Sequence, residues 1–168
     1  MIKTIKLTPD SKKRTGVVAT ERGTTEKGYL YEPNDIITGK YVIDRKTYNS
    51  DYTEVANDGG NVTFVKTKLM DAISITTLYA HLDEFNANVS VEWLNSSVRA
   101  KGIETDGRTA YFQDGELMLV TSERVAAVPT DSVILFNVNE QGKFFNVYYC
   151  GKDTLAKNYV NVPQDILG

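Results

Sequence analysis

The chain has 168 residues, which is enough for one domain with a substantial core and short for two. Its content of 41% apolar and 24% charged residues is typical of globular proteins and excludes a chain that is disordered throughout. No apolar run approaches the roughly 20 residues that cross a bilayer, and a single cysteine, Cys150, excludes an internal disulfide.

The N-terminal segment has no apolar stretch of signal-peptide type, so we expect an intracellular site of synthesis without secretion. Ile5 and Leu7 alternate with Lys6, which predicts a short edge strand. Residues 10–28 are mostly charged residues, Thr and Gly, and this composition predicts an extended arm or a long loop. Residues 1–28 hold seven Lys and Arg against three Asp and Glu, a net charge of +4 that leaves −7 on the remainder. Such a basic segment could dock on nucleic acid or on an acidic protein surface, or it could be a solvated, mobile terminus.

Residues 52–65 predict a β-hairpin, because two β-prone runs flank the glycine-rich segment 57–61. In residues 69–86, apolar residues recur at spacings of three and four, which predicts one amphipathic helix packed on a sheet. These residues are Ala72, Ile75, Leu78, Tyr79, Leu82 and Phe85. The alternation over residues 73–76 also fits a strand, so the choice between helix and strand stays open there.

Residues 88–150 predict a β-meander, a series of strands joined by tight turns. Strands are expected at residues 89–93, where Val89, Val91 and Trp93 alternate with polar residues, and at residues 98–105. The turns are expected at Asp106-Gly107, at Asp114-Gly115, and at Asn139 to Gly142. A two-residue loop at Asp114-Gly115 would place Phe112 opposite Leu117 and Ala110 opposite Leu119.

The last predicted hairpin has one apolar and one mixed face. The apolar face would combine Ile134, Phe136 and Val138 with Phe145 and Val147. The opposite face would hold Leu135, Asn137, Phe144, Asn146 and Tyr148. Such a mixed face could contact a partner, or it could be covered by the helix or by the N-terminal strands.

The predicted fold class is therefore mainly β: an antiparallel β-sandwich or partly open barrel with a C-terminal meander and one packed α-helix at about residues 69–86. The predicted organisation is a basic N-terminal arm, or an edge strand plus loop, over residues 1–28, followed by a single β-rich domain over residues 29–168.

Few residues are candidates for catalysis or for binding a metal ion or cofactor. His81 is the only histidine, and the sequence has no glycine-rich phosphate loop, so we expect no metal and no cofactor. Cys150 and His81 could form a nucleophilic pair only if the fold brings them together, and a cysteine that ends an apolar strand is more typical of a core thiol. With a pI near 5.2, the body is expected to bind no specific nucleic acid. These observations predict a protein that is not an enzyme.

In general character, the basic arm of residues 1–28 joined to the turn-rich β body of residues 88–150 resembles the small virion proteins of tailed phages, such as capsid auxiliary (decoration) proteins and head–tail connector subunits. The resemblance implies a structural or assembly protein in the virion that forms a homo-oligomer or binds other virion proteins, with no membrane and no small-molecule ligand. In this hypothesis Lys12, Lys13 and Arg14 anchor the arm on an acidic neighbour, and removal of residues 1–28 leaves the domain folded but abolishes assembly. The second contact surface would comprise Asn137, Phe144, Asn146 and Tyr148.

The alternative hypothesis is a carbohydrate- or peptide-binding β module. It would use aromatic side chains at Trp93, Tyr111 or Tyr148 as its contact surface. If Trp93 belongs to the core instead, its replacement lowers stability rather than ligand binding.

Overall fold

The computed structural model describes residues 2–98, 107–121 and 125–167. The predicted fold class is confirmed: the protein is mainly β, and the sheets formed by the described residues are antiparallel and open. None of the described helices is long and apolar enough to cross a bilayer. In chain order the elements are β1 (Ile5–Leu7), β2 (Arg14–Val18), β3 (Gly23–Thr24), β4 (Leu30–Tyr31), β5 (Ile36–Ile37), β6 (Val42–Ile43), α1 (Arg45–Asp51), β7 (Tyr52–Asp58), β8 (Asn61–Lys66), β9 (Met70–Ser74), α2 (Ile75–Ala80), α3 (Leu82–Asn88), α4 (Val91–Val98), β10 (Ala110–Gln113), β11 (Glu116–Val120), β12 (Val125–Ala127), β13 (Ser132–Val138), β14 (Phe144–Gly151), α5 (Lys152–Asn158) and α6 (Gln164–Leu167).

The chain folds into two compact units. The main unit comprises Met1–Leu7 and Leu69–Gly168, and the inserted unit comprises Thr8–Lys68. The insertion lies between two strands that pair with each other, because Leu7 in β1 is the cross-strand partner of Met70 in β9. This division differs from the predicted one, which separated residues 1–28 from residues 29–168.

The main unit is built on a four-stranded antiparallel sheet in the order β1-β9-β13-β14. Strand β13 is buried from Ser132 to Asn137, because both faces of the sheet are covered. Ile134 and Phe136 pack into a core shared with helices α2 to α4 and strands β10 and β11. Val133 and Leu135 alternate with them and pack on the other face, against α5 and α6.

The helix predicted at residues 69–86 is confirmed only from Ile75 onward, and it is two helices, α2 and α3. Met70–Ser74 forms strand β9 instead, between β1 and β13. Four consecutive residues of β9 are buried because both of its faces are covered, and this continuous burial obscured the strand alternation. Helix α2 begins where the Oγ of Ser74 accepts a hydrogen bond from the backbone N–H of Thr77.

The strand predicted at residues 89–93 is wrong beyond Val89, because Val91–Val98 forms helix α4. The backbone N–H of Trp93 donates to the Oγ of Ser90 at 3.2 Å, so Ser90 stabilises the first turn of this helix. The strand predicted at residues 98–105 lies outside the described residues, apart from the helical Val98, and so does Asp106.

The other predicted turns are confirmed. Asp114 and Gly115 both have positive φ angles, 53° and 80°, and join β10 to β11. The register pairs Phe112 with Leu117 and Ala110 with Leu119, as predicted. The predicted turn from Asn139 to Gly142 joins β13 to β14, with Gly142 at a φ of 78°. The hairpin predicted in residues 52–65 is formed by β7 and β8.

The predicted faces of the last hairpin are partly wrong, because strand β14 contains a β-bulge. Leu135 pairs with Tyr148 but Asn137 pairs with Phe145, and Asn146 has a φ of 51° at this irregularity. The extra residue shifts the alternation of β14. Phe144 therefore packs in the main core, with its ring centroid 4.3 Å from that of Phe136.

The inserted unit contains a five-stranded antiparallel sheet in the order β6-β5-β2-β8-β7. Its core comprises Ile36, Ile43, Tyr48, Val62 and Phe64. Strand β2 is the middle strand, so the arm or loop predicted for residues 10–28 is wrong at Arg14–Val18. Strand β1 lies at the edge of the main sheet, and this confirms the edge strand predicted at Ile5–Leu7.

The topology predicts which deletions the chain tolerates. If residues 8–69 are replaced by an Asn-Gly turn, the main unit should still unfold cooperatively on heating, because Leu7 and Met70 are already cross-strand partners. Removal of residues 1–28 should instead unfold the inserted unit, because β8 and β5 lose their common neighbour β2. Hydrogen exchange of both variants checks these outcomes; protected amides at residues 61–66 after removal of residues 1–28 would contradict the second one.

Candidate interaction surfaces

The structure does not bring Cys150 and His81 together. Cys150 is the cross-strand partner of Val133 and packs on the face of the main sheet that carries α5 and α6. His81 follows α2, which covers the opposite face, and its Nδ1 lies 3.4 Å from the Oε2 of Glu84. The sheet therefore lies between the two side chains. In the described part of the chain, no group of three or more His, Cys, Asp and Glu residues could hold a metal ion.

The predicted anchor residues lie at the start of β2 rather than on a free arm. Lys12 and Lys13 are exposed, whereas Arg14 is partly buried as the first residue of β2. An Nη of Arg14 lies 3.6 Å from the Oδ1 of Asp10, and the other Nη donates to the backbone carbonyl of Lys12 at 3.3 Å. The two lysines are thus held next to a rigid sheet.

Two of the four residues predicted for the second contact surface are interior. Asn137 is 2% exposed, and its Nδ2 donates to the Sδ of Met70 at 3.2 Å. Phe144 is 7% exposed in the main core. Asn146 and Tyr148 are partly exposed, and Tyr148 packs against the second core cluster of the main unit. This set does not form one continuous surface.

The predicted aromatic sites also divide into interior and surface residues. Trp93 is buried in the main core, and the guanidinium of Arg108 lies over the Tyr111 ring at 4.8 Å from its centroid. Tyr79 and Phe112 are about half exposed, and their ring centroids lie 5.1 Å apart. This surface pair joins α2 to β10, two elements distant in sequence, so the sequence could not reveal it.

The sheet of the inserted unit has one core face and one outer face. Val62 and Phe64 of β8 point to the core, so Thr63 between them points outward. Gly16 of β2 also faces the core, since an added Cβ would lie 2.7 Å from the Cγ2 of Ile36, and Val17 therefore points outward. The same alternation and register define the outer face as Thr15, Val17, Ile37, Val42, Thr53, Ala56, Asp58, Asn61, Thr63 and Val65.

Asp58, at the end of the edge strand β7, is the one charged residue among these ten, and each of the ten is at least partly exposed. Val17, on the middle strand, is 49% exposed. Charges occur at opposite ends: Lys13 precedes β2 at one end, and Asp58 ends β7 at the other. Along the edge of the sheet, β7 has an irregularity between Glu54 and Ala56, which disturbs the regular pattern that an added strand needs.

A cluster of aromatic side chains supports this sheet from its core face. The ring of Tyr48 lies 5.2 Å from that of Phe64 and 6.0 Å from that of Tyr52. The hydroxyl of Tyr48 donates to the Oε1 of Glu54 at 2.9 Å. Burial raises the pKa of Tyr48 to about 12; the hydrogen bond and charge of Glu54 act in the same direction, and Arg45 acts against them.

No protein-family model, no curated protein and no solved structure matches this chain.

The raised pKa of Tyr48 predicts an alkaline instability of the inserted unit. Because folding favours the neutral phenol, its contribution to the free energy of unfolding is complete below the ordinary tyrosine pKa of about 10 and is lost as the pH rises through about 12. We expect Tyr48→Phe to lower stability at pH 8 by about 0.5–1.5 kcal/mol, through loss of the bond to Glu54, and to reduce the fall in stability between pH 10 and 12.

Urea unfolding monitored at several pH values measures both effects. Tyr79→Phe is the matched control, because Tyr79 is 47% exposed and lies in the main unit. An equal alkaline loss in the wild type and in Tyr48→Phe would contradict the assignment to Tyr48.

Proposed function

We propose that the protein is a non-enzymatic structural protein of a virus particle, comparable to the small virion proteins of tailed phages, and that it binds neighbouring subunits. The observation that carries this proposal is the outer face of the inserted unit. Its ten side chains are all accessible and only that of Asp58 is charged. Five members are aliphatic: Val17 and Ala56 are exposed by more than a third, and Ile37, Val42 and Val65 are partly covered. Contiguous aliphatic groups of this kind on a surface are typical of protein contacts.

The shape of the outer face favours a protein partner over a small molecule. Small-molecule sites are usually concave and enclose most of their ligand, whereas protein interfaces are broad. The outer face lies on a five-stranded sheet, and the aromatic cluster around Tyr48 and Phe64 holds that sheet from the other side. Lys12 and Lys13 remain part of the proposed contact, as a basic rim at one end of the face.

The exposed pair of Tyr79 and Phe112 supports a second candidate, a carbohydrate- or peptide-binding module. Each ring is about half exposed, and the two planes are inclined by 46°. Aromatic side chains with this exposure are frequent in ligand-binding surfaces. In this candidate, Phe112→Ala removes binding to a glycan or peptide array, and the outer face has no role.

The principal test is the location of the chain in cells that carry its gene. We expect quantitative mass spectrometry and immunogold labelling to find it in purified virus particles, in many copies per particle. A Val17→Asp variant should fold but be absent from particles, because a carboxylate on the middle strand of the outer face would be desolvated in the contact without a partner.

Leu30→Asp is the matched control, since Leu30 is 77% exposed in β4, outside the outer face. It should be incorporated like the wild type. A wild-type chain that is produced together with particles but never sediments with them would refute the proposed function.

A further inference from the structure

We propose that one end of the sheet in the inserted unit binds the phosphate backbone of a nucleic-acid duplex without reading its sequence. This basic end is where β2 begins and β8 ends. The inference goes beyond the proposed function, because it gives the basic rim of the outer face a second partner besides a neighbouring subunit. The basic end is defined by Lys12, Lys13, Arg14, Lys40, Lys66 and Lys68.

The pairing of β2 with β8 brings basic residues from two strands to the same end. Arg14 is the first residue of β2, and its cross-strand partner is Phe64 of β8. Lys12 and Lys13 precede Arg14 in the chain, and Lys66 follows Phe64 as the last residue of β8. Because the strands are antiparallel, the beginning of β2 and the end of β8 are neighbours.

The turn between β5 and β6 brings a further lysine to the basic end. Strand β5 is antiparallel to β2, with Val17 paired with Ile37, so the residues after Ile37 lie toward the beginning of β2. Lys40 is in the turn that follows. Burial raises the pKa of Tyr41, and the charge of Arg14 acts in the opposite direction, which places this turn beside Arg14.

Positive charge exceeds negative charge at the basic end. The six Lys and Arg residues lie with three carboxylates, which leaves a net charge of +3. The Oδ1 of Asp10 lies 3.6 Å from an Nη of Arg14, and that of Asp51 lies 3.5 Å from the Nζ of Lys68. The third carboxylate, Glu54, accepts the phenol hydrogen bond described above. The negative charges of this end are thus engaged within the unit.

Three exposed lysines supply the proposed contacts. Lys12, Lys13 and Lys40 are exposed, and none of them takes part in the pairs just described. A lysine ammonium is a compact point charge on a flexible stem, so it can follow phosphates whose positions vary. Contacts to phosphates carry no sequence information, and we therefore expect binding without sequence preference.

The spacing of the charges fits a duplex strand. Lys40 at the end of β5 and Lys66 at the end of β8 are separated by two strand spacings, about 10 Å. One strand of a DNA duplex presents about three phosphates over that length. A protein partner would have to place its carboxylates to match this spacing, whereas a duplex matches it in any register.

The surroundings of the lysines favour a duplex over a single strand or a membrane. Single strands are usually bound by stacking on exposed aromatic rings, but Tyr41 beside Lys40 packs against the core of the inserted unit. Membrane binding by basic segments adds apolar side chains that insert between lipids. The neighbours of the exposed lysines include Ser11 and Gly39, which supply no such side chain.

The number of contacts predicts weak binding that depends strongly on salt. For three lysine–phosphate contacts, the logarithm of the association constant should fall with the logarithm of the salt concentration with a slope of about −2.7. Between 20 and 200 mM NaCl, this slope corresponds to a loss of about 500-fold in affinity. Such a contact becomes effective where many copies of the chain meet one nucleic-acid molecule.

The test is fluorescence anisotropy of the full chain with two labelled DNA duplexes of about 20 base pairs and unrelated sequence, at several NaCl concentrations. We expect a Kd of about 10–100 μM for both duplexes at 20 mM NaCl, with the slope given above. Lys13→Gln should make the slope shallower by about 0.9 and weaken binding at 20 mM NaCl about 10- to 30-fold.

A triple variant removes all three exposed charges. Lys12→Gln/Lys13→Gln/Lys40→Gln should bind neither duplex, whereas Lys12→Arg/Lys13→Arg/Lys40→Arg should bind both like the wild type, because it keeps the charges. Lys27→Gln is the matched control, since Lys27 is exposed in the turn between β3 and β4, outside the basic end. It should leave the affinity and the slope unchanged.

Three results would overturn the inference: a triple Gln variant that binds like the wild type, a slope near zero, or a preference of more than tenfold for one duplex. Equal affinity for polyglutamate, for the single strands or for vesicles with phosphatidylserine would also overturn it, in favour of that class of partner. A chain that enters particles but binds no duplex would refute this inference alone. A chain that binds both duplexes but is absent from particles would refute the proposed function alone.

Discussion

Strand β1 is only three residues long, yet its pairing with β9 holds the two ends of the insertion side by side. The Nζ of Lys6 bonds both carboxylate oxygens of Asp71 at 3.0 Å, and the Oγ1 of Thr4 donates to one of them at 2.9 Å. Asp71 is 4% exposed, so its charge is stable there only with these partners. Because Leu7 and Met70 are held side by side, the chain can leave and re-enter the main unit at one place. The insertion therefore lowers the stability of the main unit by little more than the entropic cost of closing a loop. That cost grows slowly with the length of the inserted segment.

The two sheets differ in how their faces are covered. The main sheet has a core on each face, so its middle strand β13 is a continuous buried run. The sheet of the inserted unit has a core on one face only. Strand β8 accordingly alternates, with Val62 and Phe64 buried and Thr63 and Val65 partly exposed. Both faces of the main sheet are therefore covered by residues of the main unit. The sheet of the inserted unit retains one face on which another sheet can pack.

Features of the fold that depend on a few adjacent residues were predictable from the sequence. The Asp114-Gly115 turn fixed the register of β10 and β11, because positive φ angles at both positions define the hairpin. Features that depend on distant residues were not. Nothing in the local sequence shows that Asn146 adopts a positive φ and moves Phe144 into the core. The interactions of Asn86 are equally hidden: its side chain accepts from the backbone N–H groups of Thr109 and Ala110 and donates to the carbonyl of Ala110.

The outer face was not predictable from the sequence, because its middle strand β2 lies in a segment whose composition is typical of an arm or loop. Residues 10–28 predict an arm or loop because they are mostly charged residues, Thr and Gly, with only Val17 to Ala19 as apolar content. In the structure Gly16 allows close approach of Ile36, which supplies the buried surface that β2 itself lacks. Thr15 and Val17 face outward, and Val18 is the one aliphatic side chain of β2 that packs against the core of this unit. A middle strand with so little apolar surface of its own is expected where one face of the sheet is completed by another molecule. The composition that makes β2 hard to predict and the accessibility of the outer face therefore have the same origin, namely side chains of β2 that the core of the inserted unit does not use.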